Sequence, residues 1–390
     1  MVSLPRRWIC WWASALVLAV LAVGEAFAQD GEPDKGLALL RTVHVGPGAR
    51  PEIVAAGDRV FVVYLAGIGT RDGQAFRVKV FDREMSKELA SKELVATTKE
   101  FGKPTDIRVT ADGDHLFAFY ETVIMGQKAF LWGAKYTLDE RFEKVAETAE
   151  PIATGLPMGL HKAGDELVND PLPLVGADSV SVLTRFRQAS CSRKEPTVYR
   201  VYTFSKDLRK QLLRKNLDLS SVADGPGRQT SALYHDGTCF MVVPSTCEDG
   251  DFPVDIATPS DLLLVKLDAE WKIVGSMPLS EDPGDVETFA TGFQRRNGWW
   301  FLAYNRIFVG REVSAVLKVY DDDLELETSV TIKAVDPKKG NVVKPTLSVD
   351  GDRIYVALGS GPPVAPPRAG EPRPRGSETV DVFIYEFRGR

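Results

Sequence analysis

Apolar residues along this chain come in short runs, and the runs recur in a fixed order. Ile53-Val54 is followed by a turn at Gly57-Asp58, then by Val60-Phe61-Val62-Val63-Tyr64, then by the alternating Phe76-Arg77-Val78-Lys79-Val80-Phe81. Runs this short, bounded by Gly and Asp, read as strands and hairpins rather than helices. After the third run comes a polar turn, Asp82-Arg83-Glu84, and then a weaker fourth strand.

The same order returns five more times. The second unit has Thr105-Asp106-Ile107, a turn at Asp112-Gly113-Asp114, and runs at 116–120 and 131–136. The third turns near Gly176, with runs at 180–183 and 198–202. The fourth turns at Asp236-Gly237 and the fifth at Asn297-Gly298. The sixth opens on Lys344-Pro345-Thr346-Leu347, turns at Asp350-Gly351-Asp352 and ends on a run at 380–387. The first-hairpin glycines Gly57, Gly113, Gly176, Gly237, Gly298 and Gly351 are spaced by 56, 63, 61, 61 and 53 residues. Four-stranded units repeated radially make a β-propeller, and six copies predict six blades, beginning near 50, 103, 169, 228, 287 and 344. The sixth unit stops after its third strand, while residues 37–45 offer an unassigned strand ahead of the first. The expectation is an all-β, six-bladed ring closed by the N-terminal strand joining the last blade, which also removes an open sheet edge.

The chain has 390 residues, of which 44% are hydrophobic. Its first 28 residues read as a secretory signal: basic Arg6-Arg7, an apolar run over 8–23, then Ala26-Phe27-Ala28 before polar Gln29. The domain reading is a signal over 1–28 and one propeller over 29–390. The expected location is periplasmic or extracellular, with no transmembrane segment once the signal is cleaved; its retention as an anchor is the alternative. Formal net charge is −6, which argues against nucleic acid as a partner. Three cysteines follow the signal. Cys191 and Cys247 each follow a second strand on one face of adjacent units, so they are the candidate disulfide, while Cys239 points into its blade. The four histidines are scattered, and the acidic stretch 248–255 lacks a calcium-loop pattern, so neither a metal nor a cofactor is expected.

In a propeller the innermost strands begin at one face, where the loops between second and third strands also open. The residues placed there are strongly polar. Arg50, Lys103, Arg228, Tyr304, Arg306 and Lys344 are the candidate ligand-binding groups, since guanidinium and ammonium groups suit carboxylates, phosphates and sugar hydroxyls. Asp72, Asp106, Asp170 and Glu287 are the candidate carboxylates.

The chain resembles the sialidase-like six-bladed propellers. Arg50-Pro51-Glu52-Ile53 looks like a shortened form of their Arg-Ile-Pro motif, whose arginine grips a substrate carboxylate. By this resemblance Arg228 and Arg306 stand in for the other two arginines of the family's triad, and Asp72 for its acid/base aspartate. The chain departs from the family in having no placeable Tyr and Glu pair and no Ser-x-Asp-x-Gly-x-x-Trp boxes. Two readings follow. The missing catalytic set favours a non-catalytic propeller that binds a glycan, an acidic small molecule or a protein at the channel mouth. The arginines and carboxylates support instead a glycoside hydrolase of sialidase-like architecture with an altered site. Two carboxylates facing each other across ~5–9 Å would favour the hydrolase.

Overall fold

Along the run that begins at Val60, successive side chains point to opposite faces of their sheet, and both faces are buried. Val60, Val62 and Tyr64 pack with Tyr355, Val382 and Ile384, whereas Phe61, Val63 and Leu65 pack with Ile107, Leu116 and Tyr136. A strand covered on both sides reads as a continuous apolar run, which is why the second strand of each unit is the most visible in the sequence.

The computed structural model describes residues 36–68, 73–124, 127–156, 168, 170–187, 198–222, 230–245, 261–280, 286–307, 313–333, 341–361 and 378–389. The first strand is β1 (Leu37–Pro47). Blade one holds β2 (Ala49–Ala56), β3 (Arg59–Ala66), β4 (Ala75–Asp82) and β5 (Glu88–Ala96). Blade two holds β6 (Lys103–Ala111), β7 (His115–Ile124), β8 (Lys128–Thr137) and a split outer strand, β9 (Lys144–Glu147) and β10 (Ala153–Gly155). Blade three holds β11 (Leu172–Val175), β12 (Ser179–Arg187), β13 (Val198–Ser205) and β14 (Gln211–Asp218). Blade four holds β15 (Ser231–His235), β16 (Thr238–Pro244), β17 (Leu262–Leu267) and β18 (Ile273–Pro278). Blade five holds β19 (Val286–Arg296), β20 (Trp299–Ile307), β21 (Val313–Tyr320) and β22 (Leu326–Ile332). Blade six holds β23 (Asn341–Asp350), β24 (Arg353–Gly361) and β25 (Thr379–Phe387).

Within each blade the pairing is antiparallel, and β1 completes blade six by pairing with β25 from Leu37–Phe387 to Pro47–Thr379. The ring is therefore closed by the N-terminal strand. His44 Nδ1 sits 2.8 Å from an Asp381 carboxylate oxygen across this pair. Six hydrophobic clusters fill the six seams between consecutive blades. Cys239 is buried in the seam between blades three and four, where burial pushes its thiol pKa up.

The turns follow two recipes. Asp236-Gly237 and Asn297-Gly298 carry positive φ at both positions, the mirror-image turn that matches strand twist in a two-residue hairpin. The outer turns instead close on an aspartate. Asp268 Oδ1 accepts from the backbone N–H groups of Glu270 and Lys272, and Asp321 Oδ1 from those of Asp323 and Glu325. Asp82 does the same for Ser86 and Lys87. A bulky residue three positions after each aspartate takes the left-handed conformation: Met85, Trp271 and Leu324, with φ of 50°, 63° and 66°.

Candidate functional site

Four innermost strands carry a charged residue followed by proline at their entry: Arg50-Pro51, Lys103-Pro104, Asp170-Pro171 and Lys344-Pro345. Of these, Arg50, Asp170 and Lys344 are left-handed, with φ of 52°, 49° and 53°. A side chain ahead of proline ordinarily takes an extended backbone, and a non-glycine residue held at positive φ persists only where its surroundings fix it. Those surroundings are visible. Asn305, fully buried in blade five, accepts from the Lys344 N–H at 3.1 Å. Thr346 Oγ1 donates to the Pro51 carbonyl at 3.1 Å, and Thr291 Oγ1 to the Pro345 carbonyl at 2.5 Å. Hydroxyls of one blade thus clasp the proline carbonyl of the next.

The strained backbone brings the charged groups together at the mouth. Lys344 Nζ donates to both oxygens of Asp106, at 2.9 and 3.1 Å. Arg50 Nη1 donates to the Thr105 carbonyl at 2.5 Å and lies 3.6 Å from Asp106. Arg185 donates to Asp170, and Asp170 helps to hold the charge on Asp106. Asp106 has 2% of its side chain exposed, whereas Arg50 has 39%. Glu121, paired in register with Asp106 across β6 and β7, is buried beside it.

Electrostatics separates these acids. Burial disfavours the charge on Asp106, but Lys344 and Arg50 outweigh it and hold its pKa well below the usual carboxylate range. Burial, with Asp106 adding to it, pushes Glu121 up to about 8. Burial also lowers Lys344, with Asp106 opposing. One step deeper, Arg108 Nε lies 3.1 Å from Glu52, and Arg108 Nη2 donates to the Thr291 carbonyl at 2.7 Å. Burial raises Glu52 to about 7 although Arg108 opposes it. Arg108, Glu52 and the Thr291 carbonyl form a bridged layer inside the channel. Behind it a cavity of about 490 Å³, lined by Ile53, Val109, Leu174, Ser231 and Ser348 among others, reaches toward the first-hairpin turns.

Of the residues singled out from sequence, Arg50, Asp106, Asp170 and Lys344 meet here. Lys103 is exposed where β6 begins. Tyr304 is buried in the seam between blades four and five, with Lys318 over its ring at 5.5 Å. Arg306 donates to Thr331 Oγ1 on the outermost strand of its blade, so it does not join Arg50. Glu287 lies in β19, its side chain outside the described residues, as are Asp72, Arg228, Cys191, Cys247 and the acidic stretch 248–255. Among the described residues no cluster of His, Cys, Asp and Glu could hold a metal. Glu121 and Arg108 were not read from the sequence as site residues. Glu121 interrupts the apolar stretch Phe117-Ala118-Phe119-Tyr120, and a carboxylate inside a buried strand was the available signal.

No protein-family profile matches the chain, and no curated protein matches it. Solved structures share its fold. An α-L-arabinofuranosidase from Fusarium graminearum is 10% identical, covering 89% of this chain and 97% of its own, with a TM-score of 0.56. The endosialidase of phage phi92 is 9% identical, covering 91% of this chain and 69% of its own, with a TM-score of 0.56. A sialidase from Trypanosoma rangeli is 10% identical, covering 89% of this chain and 55% of its own, with a TM-score of 0.50. The chain is a six-bladed propeller related in fold to sialidase- and arabinofuranosidase-type propellers.

Proposed function

We propose that this is an exported propeller that binds a glycan at its channel mouth without a covalent step. The carrying observation is that the mouth cations Lys344 and Arg185 are already paired, with Asp106 and Asp170, while Arg50 lies beside the same Asp106. Three arginines facing an empty centre would have suited an acidic ligand. A charge-compensated array of fixed donors and acceptors suits a neutral polyhydroxyl ligand better, because hydrogen bonds to charged groups are strong and need no net charge on the partner. The N-terminal apolar run and Ala26-Phe27-Ala28 support export. Asp106 engages Lys344 through both oxygens, which argues against a free nucleophile.

A hydrolase reading retains one supporting observation. Glu121 keeps its proton near pH 7 beside an ionised Asp106, and such a split is how acid and base roles are divided. A glycan array probed with the purified chain, followed by digestion of each bound glycan, tests both readings. Binding without cleavage, lost in Arg50→Ala, supports the lectin-like reading. Cleavage that disappears in Glu121→Gln replaces it with the hydrolase, and absence of binding to any glycan overturns both.

A further inference from the structure

We infer that Phe101, Phe130 and Trp132 form a stacking subsite for a further sugar ring, outward from the mouth along the seam between blades one and two. This rests on the glycan reading above and extends it from a single sugar to a chain. Phe101 stands two residues before β6, and Phe130 and Trp132 occupy the mouth end of β8. The Phe101 and Trp132 rings meet edge to face at 4.7 Å, and Phe130 lies 6.1 Å from Phe101. All three are partly exposed. Trp132 Nε1 donates to Thr122 Oγ1 at 3.1 Å, which fixes the indole on the blade-one face of the sheet. Arg50 reaches the same seam through its bond to the Thr105 carbonyl. Phe130 and Trp132 flank Leu131, the β8 partner of Glu121, so their rings lie on the blade-one face of the sheet, one strand outward from Glu121 and on the other side of it.

The outer strand of blade two is split, and its second piece, β10, pairs with the segment carrying Phe130, Thr154 opposite Phe130. A rigid strand holds a contact surface better than a loop. Ring faces without charge match the C–H face of a sugar, while the mouth supplies the polar contacts.

Calorimetric titration of the purified chain with arabino-, xylo-, cello- and chito-oligosaccharides of increasing length, starting from the monosaccharide, tests this. Affinity should climb about tenfold from monosaccharide to trisaccharide in one series. Phe101→Ala and Trp132→Ala should each erase that climb while leaving monosaccharide affinity unchanged, and Trp132→Phe should restore most of it. Thermal melts confirm that each variant is folded, and Phe101→Ser, on a surface turn, provides a second variant if Trp132→Ala does not fold. An unchanged climb in the folded variants, or none in the wild type, removes the subsite and leaves the mouth. No binding of any sugar removes the glycan reading with it.

Discussion

Arg108 of blade two bonds the Thr291 carbonyl of blade five at 2.7 Å, so one side chain spans the ring between diametrically opposite blades. Its other partner, Glu52, is a buried carboxylate. Arg108→Met leaves that carboxylate without its cation, and removing one partner of a buried pair costs about 3–5 kcal/mol. The loss should be large at pH 8, where Glu52 is ionised, and smaller at pH 5, where it is protonated. Urea unfolding at both pH values measures it, and equal losses would contradict the pairing.

Glu52 and Glu121 set a wider pH dependence. Their native pKa values of about 7 and about 8 lie above the ordinary 4.5. Between these limits the folded protein holds protons that the unfolded chain releases, so stability falls as pH rises through the window. Each unit of displacement corresponds to ~1.4 kcal/mol, giving a total of roughly 8 kcal/mol for the two groups. Asp106 has the opposite sign: its contribution is present above the ordinary aspartate pKa and is lost only as pH falls below it. Glu121→Gln should flatten the upper part of a melting-temperature profile between pH 5 and 9. A profile that keeps its slope would place the titration elsewhere.

Lys344→Met strands Asp106 in the same way, with an expected cost of about 3–5 kcal/mol. Adding Asp106→Asn should recover much of it, because the orphaned charge is gone. A double-mutant cycle by chemical denaturation reads the coupling directly; additive losses would show that the two groups do not interact.

Arg50 separates stability from binding. Its left-handed backbone costs roughly 1–2 kcal/mol with any Cβ present, while its guanidinium lies beside the buried Asp106 and bonds the Thr105 carbonyl. Arg50→Gly removes the strain together with those contacts and Arg50→Ala removes the contacts alone, so Arg50→Gly should melt above Arg50→Ala, while both lose ligand. A glycine variant less stable than the alanine one would show that Arg50 is not strained.

Deleting residues 37–45 strips the pairing from β25 and exposes the edge of blade six. The expected outcome is a melt at least ~10 °C lower, with concentration-dependent association through the bare edge. Melting at the wild-type temperature would mean that the ring is stable without its closing strand.

The fold was legible because strands such as Val60-Phe61-Val62-Val63-Tyr64 are buried on both faces and leave an unbroken apolar signature. Arg50, Asp170 and Lys344 were legible because they are charged residues at the point where an innermost strand begins; Lys103 carries the same signal and turns out to solvent. Glu121 was not, since its place depends on the β6–β7 register, which sequence alone does not supply. Tyr304 and Arg306 share the strand face turned toward blade four, so one is absorbed by that seam and the other by Thr331. The outer turns escaped as well: left-handed backbone is expected of glycine, yet Met85, Trp271 and Leu324 adopt it, their aspartates bonding the turns' N–H groups.

The bond between His44 and Asp381 joins positions 337 residues apart. During synthesis, β1 emerges before any blade and must wait for the last one. Until β25 leaves the ribosome, the earliest strand has no place to go, and five blades can assemble only as an open arc with two bare ends. The ring thus measures its own completeness: a chain cut short before β25 cannot close, and it presents unpaired strand to whatever quality control patrols its compartment.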